Sequence, residues 1–486
     1  MGEPVNITIP DRLLIGGAWV PAASGAAEPV RSPWDGHVVG EVAVAGAPDV
    51  QAALAAAERG AIVWRETPAF ARMDVLSRAA ALVEQRVADI ARVLSAENGK
   101  TITEARGEVG RAADMIRLAG YEGTQLYGDT LPLDANRGTG RDKLGFTVRQ
   151  PCGVVVAITP FNYPSLLVLH KVAPALAAGN AVVLKPARTT PLTALLLAQV
   201  FLDAGLPDGV LNVLTGPGAS LGDALVSDPR VRKISFTGST ATGRRIASLA
   251  GVKKLSLELG ASCPVVVLPD ADIEAAAAAV ALGGYVNAGQ VCISVQRVIT
   301  HPRINGDFLD ALVPKVAAIR VGDPAAETSQ MGTLITAGEA ERVHSAIRSA
   351  TAQGASVLTG GTLDGATVSP AVIAGVDPDS PLAQEELFGP AVAVSTAPDW
   401  AAAIAQANGT GYGLGAGIFT SDVSGAVRAV RDIDAGVIHV NWTPLWRADL
   451  MPYGGLKASG IGKEGFRSAV EEMTEVKTVI LHGRPW

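Results

Sequence analysis

The sequence predicts an α/β protein with two doubly wound, largely parallel sheets, and three observations lead there. Short apolar runs rich in Val and Ile recur along the chain, beginning with "GVVVAIT" (153–159) and "NAVVLKPA" (180–187). Each is followed by an Ala/Leu-rich stretch long enough for a helix, and strands apolar on both faces that alternate with helices belong in a parallel sheet. The chain has 486 residues, 48% hydrophobic and 18% charged. That exceeds the roughly 250–300 residues at which one core stops growing, so two or three domains are expected.

In chain order, Asp49 to Lys100 comes first. Met73, Leu76, Ala80, Leu82 and Val87 recur at helical spacing with charges between them, which predicts long amphipathic helices. The first alternation then runs through "GVVVAIT", "NAVVLKPA", "GVLNVLTG" (209–216), "VRKISFTG" (231–238) and "KKLSLELG" (253–260), a Rossmann-like pattern. A second runs through "CPVVVLPD" (263–270), "QRVITH" (296–301), "ASVLTGG" (355–361), "PAVAVST" (390–396), "GAGIFTS" (415–421) and "GVIHVNW" (436–442). Between the opening helices and the first alternation lies a polar segment ending "LGFTVRQP", and the C-terminal "TEVKTVILHG" is also β-prone. Neither suits a buried parallel strand, so the two are expected to form a small β arm. The implied boundaries are 1–128 with 150–259, then 260–457, and an arm from 129–149 with 458–486.

Several function classes are excluded at this level. A net charge of −7 with scattered Lys and Arg leaves no electrostatic footprint for nucleic acid. Cys152, Cys263 and Cys292 are odd in number and lack CxxC spacing, which argues against disulfides and against a zinc site. No signal-peptide pattern opens the chain and no apolar run is long enough to span a bilayer, so a cytoplasmic protein without membrane association is expected.

Five local features could carry chemistry, and each has a plain structural alternative. Cys292 in "NAGQVCISVQR" is a candidate nucleophile, although a lone cysteine is more often a small buried hydrophobe. Glu258 ends a strand-like apolar run, where burial would raise its pKa toward that of a general base; the alternative is a strand-end acid in water. Asn162 in "TPFNYP" follows a buried strand, where ligands of open parallel sheets bind, so its amide could donate to an oxyanion or merely cap the next helix. Lys185 and Arg188 in "LKPARTTP" suit a nucleotide's ribose and phosphates, or simply face solvent. "FTGSTATG" is a Gly-rich strand-to-helix turn that could meet a pyrophosphate, but its GxxxxG spacing is not the dinucleotide fingerprint.

Taken together and in order, "PFNYP", "LKPA", "FTGSTATG", "LELG", "NAGQVC", "EELFGPAV" and "MPYGGLKASGIGKEG" resemble the aldehyde dehydrogenase superfamily from about residue 12 to the C-terminus. The wording is closest to the lactaldehyde and phosphonate-aldehyde dehydrogenase branch. The resemblance implies a cofactor-binding domain, a catalytic domain and an oligomerisation arm within the boundaries above, and a homodimer or homotetramer. It implies Cys292 as the nucleophile that forms a thiohemiacetal and then a thioester, Asn162 as oxyanion donor, and Glu258 as the base for hydrolysis. Thr159, Pro160 and Phe161 would line the cofactor cleft, Lys185 would bind the adenosine ribose and Ser239 the pyrophosphate. Glu386 and Phe388 would position the nicotinamide ribose and ring, and Gly218, Phe236 and Gly238 complete the cofactor set. Tyr163, His170, Val291, Ile293, Trp446 and Arg447 would form the substrate pocket.

Three departures from the family pattern shape the expectation. Arg188 stands where NAD-preferring members usually carry Glu, which favours NADP or the use of both cofactors. Ala261 replaces a common second Gly after Glu258. His170 falls where an aromatic residue is frequent, and with Arg447 it suggests a hydroxylated or anionic aldehyde. A coenzyme A-acylating enzyme and a catalytically retired structural member are the competing readings. Glu258 speaks against the first, and the presence of all three reactive residues against the second.

Overall fold

A computed structural model describes residues 8–483. Residues 1–7 and 484–486, the outer ends of the expected first and last segments, lie outside the described residues.

The first sheet has eight strands, and its centre is parallel in the order Leu211–Val213, Ala181–Lys185, Val154–Ile158, Val231–Thr237, Lys254–Glu258. Side-chain alternation sorts its residues into two cores. Val155, Ala157 and Val182 pack on one face with the helices Ala69–Asn98, Leu166–Ala177 and Leu192–Asp203. Val154, Val156 and Val183 pack on the other face with Ala47–Glu66 and Gly218–Ser227. The chain steps outward from Val154–Ile158 and then returns to its other side at Val231–Thr237, so the sheet reverses direction between these two strands. A crevice beyond the carboxyl ends at that point is where open α/β sheets bind ligands.

The edges are antiparallel. Leu13–Ile15 with Ala18–Val20 closes one side and Gly460–Ile461 the other. These strands are two or three residues long, too short to show a period; Gly460–Ile461, expected in the β arm, pairs instead with Lys254–Glu258. A separate hairpin pairs Ala27–Arg31 with Val38–Ala43.

The second sheet runs Ser356–Thr359, Ala371–Ala374, Ala391–Thr396, Val295–Thr300, Cys263–Val267, Gly415–Phe419, Val437–Val440. It is parallel except for the first pair. Ala371–Ala374, absent from the expected strands, is only four residues long. A third, three-stranded antiparallel sheet joins Thr474–His482 to Lys143–Pro151 along nine residue pairs, with Thr130–Leu131 beside it. No helix among the described residues is long and apolar enough to cross a membrane.

Candidate active site

Cys292 lies in the turn that leads into Val295–Thr300. Before it, Asn287 and Ala288 both adopt left-handed backbone angles, φ 51° and 53°, which side chains other than Gly reach only under constraint. The constraint is visible: Asn287 N–H donates to Glu104 Oε1 at 2.7 Å, and Asn287 Nδ2 donates to the Asn162 carbonyl at 3.0 Å. Gly289 follows at φ 70°, where a Cβ would sit 2.1 Å from the Gly389 carbonyl. The Cys292 thiol emerges 3.0 Å from the Tyr453 hydroxyl. Burial pushes it up to about 12; the Tyr453 contact works the other way, while the charges of Glu258 and Glu386 add to the rise.

Asn162 sits just past the carboxyl end of Val154–Ile158, only 3% exposed. Its Nδ2 donates to the Gln290 carbonyl at 2.9 Å, which ties it to the Cys292 turn. One helix fixes both loops. In Ile102–Gly110, Glu104 and Glu108 stand four residues apart on one face; Glu104 holds Asn287, and Glu108 accepts from the N–H groups of Ser165 and Leu166 at 2.8 and 3.1 Å. Glu108 also forms a wholly buried 2.6 Å ion pair with Lys100, whose Nζ donates to the Asn162 carbonyl at 2.7 Å and lies 4.0 Å from the Tyr163 ring centroid. Asn98 Nδ2 donates to the neighbouring Phe161 carbonyl at 2.8 Å.

Glu258 ends its strand 4% exposed, and Oε2 has no partner among the described residues. Burial and then the negative charge of Glu464 raise its pKa well above the carboxylate range, while Arg447, Lys171 and Lys463 pull the other way. Glu464 is its opposite. Burial alone would raise it, but Lys171 at 2.8 Å and Arg447 at 3.3 Å outweigh burial and hold it at about 2. Two carboxylates in one buried region are thus driven apart, the condition under which one serves as base and the other as fixed charge. Arg447 also lies 3.9 Å from the Tyr453 ring centroid, and its Nη2 is 3.4 Å from His170 Nδ1. Burial, then Arg447, lowers His170 well below its usual value, and the ring stacks on Phe466.

Around the crevice at the sheet reversal, Lys185 Nζ donates to the Pro186 carbonyl at 2.9 Å, and burial with Arg188 nearby lowers it to about 8. Arg188 is exposed and gripped by Glu28 of the hairpin strand Ala27–Arg31 at 2.9 and 3.0 Å from Nε and 2.5 Å from Nη2. Ser239 caps the helix Thr240–Ala250 by accepting from Thr242 N–H. Facing this, Glu386 Oε1 accepts from the Ala261 N–H at 3.0 Å, and burial raises the acid to about 7. Phe388, at φ 50°, sets its ring edge-on to Phe161 at 5.9 Å.

The model of the aldehyde dehydrogenase family matches residues 19–479. The chain belongs to the aldehyde dehydrogenase family. It is 43% identical over 442 residues to a 3-sulfolactaldehyde dehydrogenase of Priestia aryabhattai, covering 91% of this chain and 92% of that protein. It superposes with TM-score 0.96 and 33% identity on an NADP-dependent glyceraldehyde-3-phosphate dehydrogenase of Bacillus halodurans C-125 complexed with NADP, covering 98% of this chain and all of that one. An NAD-dependent aldehyde dehydrogenase of Sinorhizobium meliloti matches with TM-score 0.94 and 37% identity, covering 98% and 95%. The protein is an NAD(P)-dependent aldehyde dehydrogenase.

Within this aldehyde dehydrogenase, Cys292, Glu258, Asn162, Tyr163, Arg447, Val291 and Ile293 share one region, the last two packing with Tyr453 and Leu414 at 6% exposure each. Two expected pocket residues stand apart. His170 is buried against Phe466 and meets the site through Arg447, and Trp446 is 58% exposed with its ring edge-on to His439. Phe236 is 4% exposed in the sheet core and Gly238 follows it, while Gly218 opens its helix with open space around it. Tyr453, Glu464, Lys171 and Gln290 were not singled out as site residues. Tyr453 and Glu464 lie within "MPYGGLKASGIGKEG", whose two ends pair through backbone hydrogen bonds of 2.9 and 2.6 Å, so that motif held the signal.

Proposed function

We propose that the enzyme oxidises a small hydroxylated or anionic aldehyde to its carboxylic acid through a covalent adduct on Cys292. The observation that carries this reading is the meeting of the Cys292 thiol with Tyr453, and of Asn162 with the Cys292 turn, beside a carboxylate, Glu258, whose proton affinity is raised by its surroundings.

The steps follow from the groups present. Glu258 takes the thiol proton, and the thiolate attacks the aldehyde carbon. A C–S bond forms as the carbonyl electron pair moves to oxygen. Asn162 Nδ2 has a second N–H for that oxyanion, and such a donor contributes roughly 3–4 kcal/mol in comparable sites. A nicotinamide held by Glu386 and Phe388 would supply the hydride acceptor for this oxidation, and Cys292 would then keep the acyl group as a thioester. Glu258, having passed the thiol's proton to solvent, takes a proton from water as the water attacks the thioester; the C–S bond breaks, the carboxylic acid leaves, and the Cys292 thiolate takes the proton back from Glu258.

The residues at the sheet reversal fit a dinucleotide. Lys185 and Arg188 supply cations, the Ser239-capped helix supplies its N-terminal amides, and Glu386 with Phe388 faces them from the second sheet. A Cβ at Gly260 would lie 2.7 Å from Glu386 Oε2, so only Gly leaves this approach open. Arg188 supports use of NADP, and its pairing with Glu28 supports use of NAD as well.

One cation near the thiol supports the substrate class: Arg447 lies 3.9 Å from the Tyr453 ring centroid and is buried beside Glu464. The relative named for 3-sulfolactaldehyde, an aldehyde carrying both a hydroxyl and an anion, agrees with it. The three-stranded sheet leaves Leu144, Val148, Val476, Ile480 and Leu481 exposed, which supports a homodimer or homotetramer in which a second copy covers them.

The test is reduced-nicotinamide absorbance with lactaldehyde, sulfonated, phosphonated, semialdehyde and aromatic substrates, with NAD or NADP, with and without coenzyme A, and identification of the product. Free acid from a small anionic or hydroxylated aldehyde is expected. Turnover that requires coenzyme A, or a preference for aromatic aldehydes, overturns the reading.

A further inference from the structure

We infer that Glu28 is a selectivity residue for the cofactor: it withholds Arg188 from a 2′-phosphate and so keeps NAD in use. The inference rests on the reading of the crevice at the sheet reversal as the dinucleotide site.

Arg188 lies three residues beyond Lys185, at the carboxyl end of the strand next to the reversal. Its guanidinium is the group there best suited to a phosphate, because it offers a planar fork of N–H donors. That fork is taken. Nε donates to both Glu28 oxygens at 2.9 and 3.0 Å, and Nη2 donates to Oε2 at 2.5 Å. The Arg188 side chain is 60% exposed while that of Glu28 is 17% exposed, so the carboxylate is the more firmly seated partner. Glu28 comes from the hairpin Ala27–Arg31 and Val38–Ala43, 160 residues away in the chain, so nothing in the local "LKPARTTP" sequence reveals the pair.

The two cofactors meet this pair differently. A 2′-phosphate carries close to two negative charges and must either displace Glu28 from the fork or lie beside its carboxylate. A ribose 2′-hydroxyl carries no charge and can donate to that same carboxylate. Glu28 therefore opposes the phosphate and tolerates the hydroxyl, while Nη1 of Arg188, without a partner among the described residues, leaves a route by which NADP still binds.

The test uses the full chain with ADP-ribose and 2′-phospho-ADP-ribose as calorimetric probes, beside KM and kcat for NAD and NADP. In Glu28→Gln the Kd for the phosphorylated probe is expected to fall about tenfold relative to that for ADP-ribose, equal to about 1.4 kcal/mol. The change falls on KM for NADP rather than on kcat, and it shrinks with rising salt. Glu28→Asp keeps the charge and is expected to stay near the wild-type ratio. Adding Arg188→Gln to Glu28→Gln removes the gain. A Kd ratio that moves less than twofold in Glu28→Gln, or moves equally in Glu28→Asp, overturns the inference while leaving the dinucleotide site standing. A wild-type protein that binds neither probe overturns both.

Discussion

The hydroxyl of Tyr453 lies 3.0 Å from the sulfur of Cys292, and the Arg447 guanidinium lies 3.9 Å from the centroid of the same ring. Burial and the neighbouring negative charges raise the phenol well above its ordinary pKa, so it is a donor at neutral pH and favours the thiolate. A hydrogen bond to a charged group contributes about 1.5–3 kcal/mol. Tyr453→Phe is therefore expected to slow alkylation of Cys292 by iodoacetamide at a fixed pH near neutrality by about tenfold or more. An unchanged rate would show that the contact does not act on the thiol.

Glu258 and Glu464 give the second prediction its sign. In the proposed mechanism Glu258 acts as base only when ionised, so thioester hydrolysis is expected to rise as pH passes upward through its pKa. Burial, then the Glu464 charge, raises that pKa, and Arg447, Lys171 and Lys463 oppose the rise. Glu464→Gln removes a negative charge and leaves the three cations, so the rising limb should move to lower pH. Single-turnover hydrolysis followed across pH reads this directly. Movement to higher pH would refute the like-charge account.

How far these relationships were legible in the sequence depended on distance along the chain. Strands such as Val154–Ile158 were visible because burial on both faces leaves an unbroken apolar run, whereas Leu13–Ile15 and Gly460–Ile461 are too short to show one. Cys292, Glu258 and Asn162 were legible as candidates because each breaks a local pattern. Their supports were not. Glu28 meets Arg188 across 160 residues and Lys171 meets Glu464 across 293, and no local pattern encodes such a meeting. His170 was expected in the pocket because it stands where the family resemblance often puts an aromatic residue, and since every residue of its helix is buried, no exposed face marks which side meets the site.

Asn162 donates one N–H to Gln290 and has another to offer an oxyanion. Asn162→Ala should lower kcat by about a hundredfold to a thousandfold with little change in KM, the usual loss for one oxyanion donor. The alkylation rate of Cys292 should hold, since the Asn162 amide donates to the Gln290 carbonyl and not to the sulfur. A loss confined to KM would assign Asn162 to substrate binding instead.

The ion pair of Lys100 and Glu108 leads to a prediction about stability. Both side chains are 1% exposed, and Lys100 also holds the Asn162 carbonyl while Glu108 holds the amides of Ser165 and Leu166. Removing one member strands a charge that water cannot reach, which costs about 3–5 kcal/mol. Lys100→Met should therefore lower the melting temperature sharply. In Lys100→Met with Glu108→Gln no charge is stranded, and the amide oxygen can still accept from Ser165 and Leu166, so part of the loss should return. If the double variant melts as low as Lys100→Met alone, the cost lies in the lost contact to Asn162 rather than in the unpaired carboxylate. Scanning fluorimetry on the two proteins distinguishes these cases.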